Sequence, residues 1–286
     1  LAEGIIFDRP PEKAFDGKHT VILLLLGCDE DRFYRGTLLH GSNISRQYAR
    51  TDMMLLTKLD FDNKKISALS IPRDTMVSVP GYKRHKINAY FSFAPFIKSS
   101  STPVLLQRAA LTQTAVEELL PGVKVDQSVV LNFDAFKSLV DLVGGIDLDV
   151  ENKMDYDDDA GELHIHLKPG EQHLTGYEAM GYVRFRHDSE SDFGRQARQK
   201  QFMLAFKQGV VSNLTKLPEV VNSGKKVLNG SLNDDQIIAL FSFSRKVPPA
   251  NIQMGMVPVL EKRNREIVLD TGKIEGTLRQ FGFLGK

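Results

Sequence analysis

The sequence predicts an α/β fold, a sheet with helices on both faces, and three observations lead there. An apolar run closes on glycine (His19 to Gly27), two apolar segments bracket the polar turn "DFDNKK", and strand and helix patterns then alternate. No internal repeat, low-complexity tract or long Pro/Ser linker divides the chain, so residues 1–286 are expected to form a single domain.

Taken in order, residues 1–18, ending in "FDRPPEKAFDGK", read as an extended N-terminal segment. His19 to Gly27 contains "VILLLL", a buried strand far short of the roughly 20 apolar residues that a membrane span needs. Asp52 to Leu59 and Lys65 to Ile71 pair as a hairpin. Thr102 before Pro103 gives the cap and first-turn signals of an amphipathic helix, which Pro121-Gly122 stops. Ser128 to Phe133 reads as a strand, Asp134 to Val143 as a helix ended by Gly144-Gly145, and Ile146 to Val150 as a further strand. After the acidic, turn-like "DYDDDAGE", "LHIHL" alternates as a strand does. "TGYEAMGYVRF" begins helically, "GRQARQKQFMLAFKQGVVSNL" is a long helical pattern, and a last strand covers Ile252 to Val259.

With 42% hydrophobic and 26% charged residues the chain can bury a substantial core. Lys+Arg 37 against Asp+Glu 36 leaves a net charge of +1, which argues against nucleic-acid binding through a general positive field. Any anion site must be local. Cys28 is the sole cysteine, so an internal disulfide and a Cys-rich metal site are excluded, and its expected role is packing. The chain starts at Leu1 rather than Met, which implies that an N-terminal segment holding any anchor or signal has been removed.

The local anion site is suggested by "GYVRFRHDSESDFGRQARQKQF", which gathers Arg184, Arg186, Arg195 and Arg198. If Val183 to Phe185 is extended, Arg184 and Arg186 point the same way, and a helix starting near Asp192 puts Arg195 and Arg198 on one face. Guanidinium forks match phosphate oxygens, and a helix N-terminus adds a positive end. Ion pairs with Asp188, Glu190 and Asp192, each worth ~0 to 1 kcal/mol, explain the same run equally well. A second cluster favours the phosphate reading. Asp29 follows the first strand, Arg50 and Asp52 adjoin the second, and Arg73 and Asp74 lie on a Pro-punctuated segment, with Lys86 and Asn88 beyond. Strand ends are where α/β proteins collect ligand groups. Asp29 and Asp52 are placed to share a hard cation, and carboxylates, a divalent ion and several arginines together suit phosphoryl transfer.

Other motifs are weaker. Counted from Asp155, the acidic stretch puts Ala160 and His166 where a calcium loop needs Gly and Glu, so a solvated loop is the better reading. His164 and His166 share a strand face without an evident third ligand. Phe91, Phe93 and Phe96, with "LVDLVGG", form apolar clusters of a kind that is usually plain core.

In this order, "LLLLGCD", "RTDMMLL", "LSIPRDTMV", "KINAYF", "VVLNFDAFKSLVDLVGGIDLDV" and "LKPGEQHLTGYEAMGYVRFRHDSESDFGRQARQKQF" resemble the LytR-CpsA-Psr proteins of bacterial cell envelopes, over about residues 20 to 215. The resemblance implies a three-layer α/β/α fold with a mixed central sheet and an apolar lipid-binding pocket, anchored on the outer face of the cytoplasmic membrane by an N-terminal helix that this chain lacks. Only such a pocket would give Phe91, Phe93, Phe96 and "LVDLVGG" a lining role. It also implies a transferase that moves a glycopolymer, such as wall teichoic acid or capsule, from an undecaprenyl-pyrophosphate carrier to a peptidoglycan hydroxyl. By the same resemblance, Asp29 and Asp52 hold Mg²⁺ or Mn²⁺. Arg50, Arg73, Arg184, Arg186, Arg195 and Arg198, with Gln199 beside them, hold the pyrophosphate, and Asp29, Arg50, Arg73, Arg184 and Arg186 form the catalytic group. The proton acceptor would be a carboxylate, Asp192 or Asp29. Two departures, Cys28 in place of an aliphatic residue and the insertion-like segment 30–49, bear on specificity. Alternatives at the same site are a non-catalytic polyprenyl-phosphate-binding module and a pyrophosphate hydrolase. A DNA-binding regulator is disfavoured by the charge balance and the lack of a helix-turn-helix pattern.

Overall fold

The computed structural model describes residues 10–28, 33–34, 37–38, 50–94, 100–102, 104–158, 163–185, 191–213, 218–219, 221–223, 228, 231–262 and 264–285. The chain opens with helix α1 (Pro11–Ala14), strand β1 (Thr20–Cys28), the two-residue strands β2 (Phe33–Tyr34) and β3 (Thr37–Leu38), and the hairpin β4 (Thr51–Asp60) and β5 (Lys65–Ser70). A small ribbon, β6 (Met76–Val77) and β7 (His85–Lys86), leads into helices α2 (Tyr90–Phe93) and α3 (Val104–Leu119). Strand β8 (Gln127–Asn132) and helix α4 (Phe133–Leu142) follow, then β9 (Ile146–Val150), β10 (Met154–Asp158), β11 (Leu163–Leu167) and β12 (Gly170–Leu174). Helices α5 (Gly176–Arg184), α6 (Ser191–Ser212) and α7 (Asp234–Lys246) precede β13 (Ile252–Met256), the ribbon β14 (Val259–Glu261) and β15 (Ile267–Leu269), and helix α8 (Ile274–Gln280).

The central sheet has five strands in the order β13-β5-β4-β1-β8. It is mixed, because β1 and β5 run antiparallel to β4 while β8 and β13 run parallel to their neighbours β1 and β5. Four strands therefore point their carboxyl ends to one edge, where only β4 begins. Alternation along β1 sends Leu24, Leu26 and Cys28 into a core shared with α3 and α8, while Val21 and Leu23 pack with α7 on the other face. Helices thus cover both faces, as the period-two pattern requires. Phe91 is fully buried in the first core, whereas Phe93 stays partly exposed. Phe96 falls outside the described residues.

Several sequence expectations need correction. The segment before Thr20 is not simply extended, because Pro11 presets the first-turn φ and Glu12, Lys13 and Ala14 continue as helix formers. Phe15 then packs on Phe61, whose ring meets Phe243 edge-on. The acidic stretch is no turn at its start: Met154–Asp158 is a strand paired antiparallel with Leu163–Leu167. Its Met154 is buried with Ile165 and Leu167, and Asp155 and Asp157 stand opposite His166 and His164 on the solvent side. The last predicted strand stops at Met256, since Pro258 has no N–H to donate, and the β14–β15 ribbon and α8 follow it.

Candidate functional site at the carboxyl edge of the sheet

Register assembles the site before any side chain is considered. At the end of β1, Cys28 pairs with Thr51 on one side and Asn132 on the other, next to an irregularity between Gly27 and Cys28. With strands about 4.8 Å apart, Thr51 and Asn132 lie roughly 10 Å from each other across that edge. Beyond β5 the chain keeps to the ladder for one more bond, Ile71 N–H to the Met54 carbonyl at 2.9 Å, and then reaches Arg73. Residues distant in sequence are thereby stacked along one line.

Arg73 anchors one end of it. Its Nη1 donates to Asp52 Oδ1 at 2.7 Å, its Nε stands 3.7 Å from Asp74 Oδ2, and Lys86 Nζ holds Asp74 Oδ1 at 2.7 Å. Burial alone would lower the Arg73 pKa, but the Asp52 and Asp74 carboxylates outweigh it and hold the guanidinium above its ordinary value. Arg73 is therefore a fixed positive charge. Of the six buried polar side-chain atoms without a hydrogen-bond partner among the described residues, Thr57 Oγ1 and Ser242 Oγ lie elsewhere, while three are Arg73 Nε, Thr51 Oγ1 and Asn88 Oδ1. All three belong to this edge, for Asn88 N–H donates to the Arg73 carbonyl. Buried polar groups normally find partners, so this grouping marks a place built to receive a polar ligand.

The opposite end of the line is Arg184. Its guanidinium carbon lies 4.1 Å from the centre of the Phe133 ring, and Phe133 directly follows Asn132. Asn132 caps α4 by accepting a hydrogen bond from Ala135 N–H at 2.7 Å, which sets the angle at which Phe133 leaves the strand. Sequence reading missed Phe133 as a site residue. The available signal was "NFD", a helix cap directly after a strand.

The expectation that Val183 to Phe185 is extended is overturned. A capping box between Thr175 and Glu178 starts α5, and the helix runs through Arg184. Only Phe185 leaves it, so the period-two argument that aligned Arg184 with Arg186 does not apply. The following helix does start at Ser191, as the i, i+3 placement of Arg195 and Arg198 requires. Arg198 is buried, and its Nη2 donates to the Phe185 carbonyl at 2.7 Å, tying α6 to the end of α5 beside Arg184. Next to it the Tyr182 hydroxyl bonds Gln201, and burial pushes its pKa up to about 12 against the opposing pull of Arg198. Gln199 follows Arg198, half-buried.

The structure thus joins Arg73 directly to Asp52 and places Arg184 and Arg198 beyond Phe133 at the same edge. Arg50 is exposed at the start of β4, adjacent to Thr51. Asp29, Arg186 and the Arg195 side chain lie outside the described residues, as do Asp188, Glu190 and the Asp192 side chain. For a divalent cation, Asp52 uses Oδ1 on Arg73 and makes no other described hydrogen bond. No group of three or more His, Cys, Asp or Glu able to hold a metal occurs among the described residues. A single carboxylate suits Mg²⁺, which leans on waters and substrate phosphates rather than on an all-protein cage.

Comparison with known proteins shows the family. The chain is 33% identical over 226 residues to the regulatory protein MsrR of Staphylococcus aureus (strain COL), covering 78% of this chain and 59% of that protein. It is 34% identical over 201 residues to TagV of Bacillus subtilis (strain 168), named a polyisoprenyl-teichoic acid–peptidoglycan teichoic acid transferase, covering 68% of this chain and 48% of that protein. The chain therefore spans about half to three fifths of the length of these two relatives. The crystal structure of B. subtilis TagV superposes with a TM-score of 0.66 at 27% identity, covering 92% of this chain and 96% of that one. With a match to the family model over residues 6–278, the chain belongs to the LytR_cpsA_psr family.

Proposed function

We propose that this chain is a phosphotransferase domain that moves a glycopolymer phosphate from an undecaprenyl-pyrophosphate carrier to a peptidoglycan hydroxyl at the outer face of the cytoplasmic membrane. The observation that supports the reading is Arg73 bonded to Asp52 towards one end of the carboxyl edge of the sheet, with Arg184 held on Phe133 towards the other and Arg198 tied to the Phe185 carbonyl next to it. The name of the relative TagV, a transferase of teichoic acid to peptidoglycan, supports the substrate class.

In this reaction the acceptor oxygen bonds to the phosphorus that carries the glycan. The bridging P–O bond breaks, undecaprenyl phosphate leaves, and the acceptor proton passes to a carboxylate or water. Arg73 and Arg184, with Arg50, Arg186, Arg195, Arg198 and Gln199, would grip the diphosphate and offset the charge on the leaving phosphate. Asp52, with Asp29, would hold Mg²⁺, whose role when bound is to neutralise phosphate oxygens. The polyprenyl tail needs an apolar pocket, where shielding contributes about 25 cal/mol per Å².

The test supplies labelled lipid-linked polymer, peptidoglycan fragments and Mg²⁺. Label should move to peptidoglycan, and Arg73→Ala should reduce transfer at least ~100-fold with a circular dichroism spectrum like that of the wild type. Label that stays on the lipid rejects transfer in favour of simple capture, and labelled glycan phosphate released into solution without acceptor assigns hydrolysis.

A further inference from the structure

We propose that the two short ribbons leaving the carboxyl edge of the sheet form a docking face for an anionic lipid bilayer. This goes beyond the transfer reaction, because the face would bind a membrane whether or not the site turns over.

Both ribbons grow from the edge that carries the site. β6–β7 begins just after Arg73, and β14–β15 begins just after β13, whose next residue Val257 still donates its N–H to the Ser70 carbonyl at 2.9 Å. They are joined to each other by the Thr75–Ile267 bridge and by Arg84 Nη1 on Glu266 Oε2 at 3.0 Å. The four large hydrophobic residues exposed among the described residues are Tyr82 at 38%, Phe93 at 36%, Tyr177 at 37% and Leu260 at 51%. Three of these, Tyr82, Phe93 and Leu260, belong to the ribbons or to α2 packed beside them.

The aromatic pair is braced from beneath. Tyr82 and Phe93 both meet the buried Tyr90 edge-on, at 6.0 and 5.8 Å, and the Tyr90 hydroxyl donates to the Val77 carbonyl at 2.9 Å. Rings held open to solvent on a rigid support are poor core and good interface.

Charge decides the occupant. Lys83, Arg84, His85 and Lys86 are consecutive and exposed, and no Asp or Glu occurs between Asp74 and Glu117. Lys262 and Arg265 add exposed cations at the second ribbon against the one exposed acid there, Glu261, while Arg84 compensates Glu266 and Lys86 compensates Asp74. Long basic side chains around Tyr, Phe and Leu are the composition that seats at a negatively charged headgroup layer, the cations meeting phosphates and the rings entering the boundary. A soluble polyanion would use the cations alone.

The experiment is co-sedimentation of the 286-residue chain with vesicles of mixed phosphatidylglycerol and phosphatidylcholine, and with phosphatidylcholine alone, at low salt. The chain should bind the anionic vesicles and release them in high salt. Tyr82→Ser with Lys83→Glu should weaken binding at least tenfold, and Leu260→Ser on the other ribbon should weaken it several-fold, with unchanged melting temperatures. Failure of the wild-type chain to sediment overturns the proposal. So does loss with Lys83→Glu but not with Tyr82→Ser or Leu260→Ser, which would assign the face to a soluble anionic polymer. Arg73→Ala should keep full vesicle binding, so failure of transfer and failure of docking are read separately.

Discussion

Phe133 holds the Arg184 guanidinium on its ring face, an attraction worth about 0.5–2 kcal/mol depending on desolvation. Without the ring, the guanidinium must be ordered at the expense of substrate binding. We expect Phe133→Ala to lower transfer by a factor of roughly 3 to 30, and Phe133→Tyr to restore most of it because the π-face survives. Steady-state transfer assays on the two variants, with melting temperatures as controls, decide the matter. That arginines cluster in the sequence is legible from residue type alone. Their partners are not: Asp52 and Arg73 meet only because the β4–β5 hairpin folds back, and Phe133 reaches Arg184 only because α5 lies across α4.

Helix α5 sits against α4 without room to spare. Gly176 N–H donates to Asp141 Oδ1 at 2.7 Å, and a Cβ at that position would stand 2.2 Å from the Lys137 carbonyl oxygen. Backbone cannot yield as a flexible side chain can, so Gly176→Ala should cost about 1–3 kcal/mol in a urea titration and push Arg184 away from Phe133. The β10–β11 ribbon makes a different forecast. A hydrogen bond from the His166 ring to Asp155, with the Asp157 charge, raises the His166 pKa, while Lys153 and then His166 lower that of Asp155. The histidine contribution is fully present below its unfolded pKa of about 6.5 and lost as pH rises through the raised value. The aspartate contribution is present above about 3.9 and lost as pH falls through the lowered one. His173, raised first by its hydrogen bond to Asp147 between β12 and β9, follows His166. The melting temperature should therefore decline from pH 6 to pH 8.5, and His166→Gln should flatten part of that decline. The strands of the central sheet were evident from apolar runs. β10 was not, because its outward half is aspartate and only the pairing with "LHIHL" shows why.

Across the whole molecule, both faces of the sheet are sealed by helices, and chemistry is left to the single edge where four strands end. The layered architecture was foreseeable from alternating patterns, since burial on two faces dictates them. The C-terminal ribbon and α8 were not, because "VPVLEKRNREIVL" acquires its meaning only from the neighbouring ribbon that it grips. Cys28 lies wholly buried on that edge, between Thr51 and Asn132. Since the chain has one sulfhydryl, every molecule of a colorimetric disulfide reagent consumed must have reached this spot. Its consumption becomes a clock for local unzipping, expected to run far slower in native buffer than in urea and slower again once a diphosphate occupies the arginines. Rapid reaction of the native chain would mean that the carboxyl end of the sheet breathes while the helical jacket stays shut.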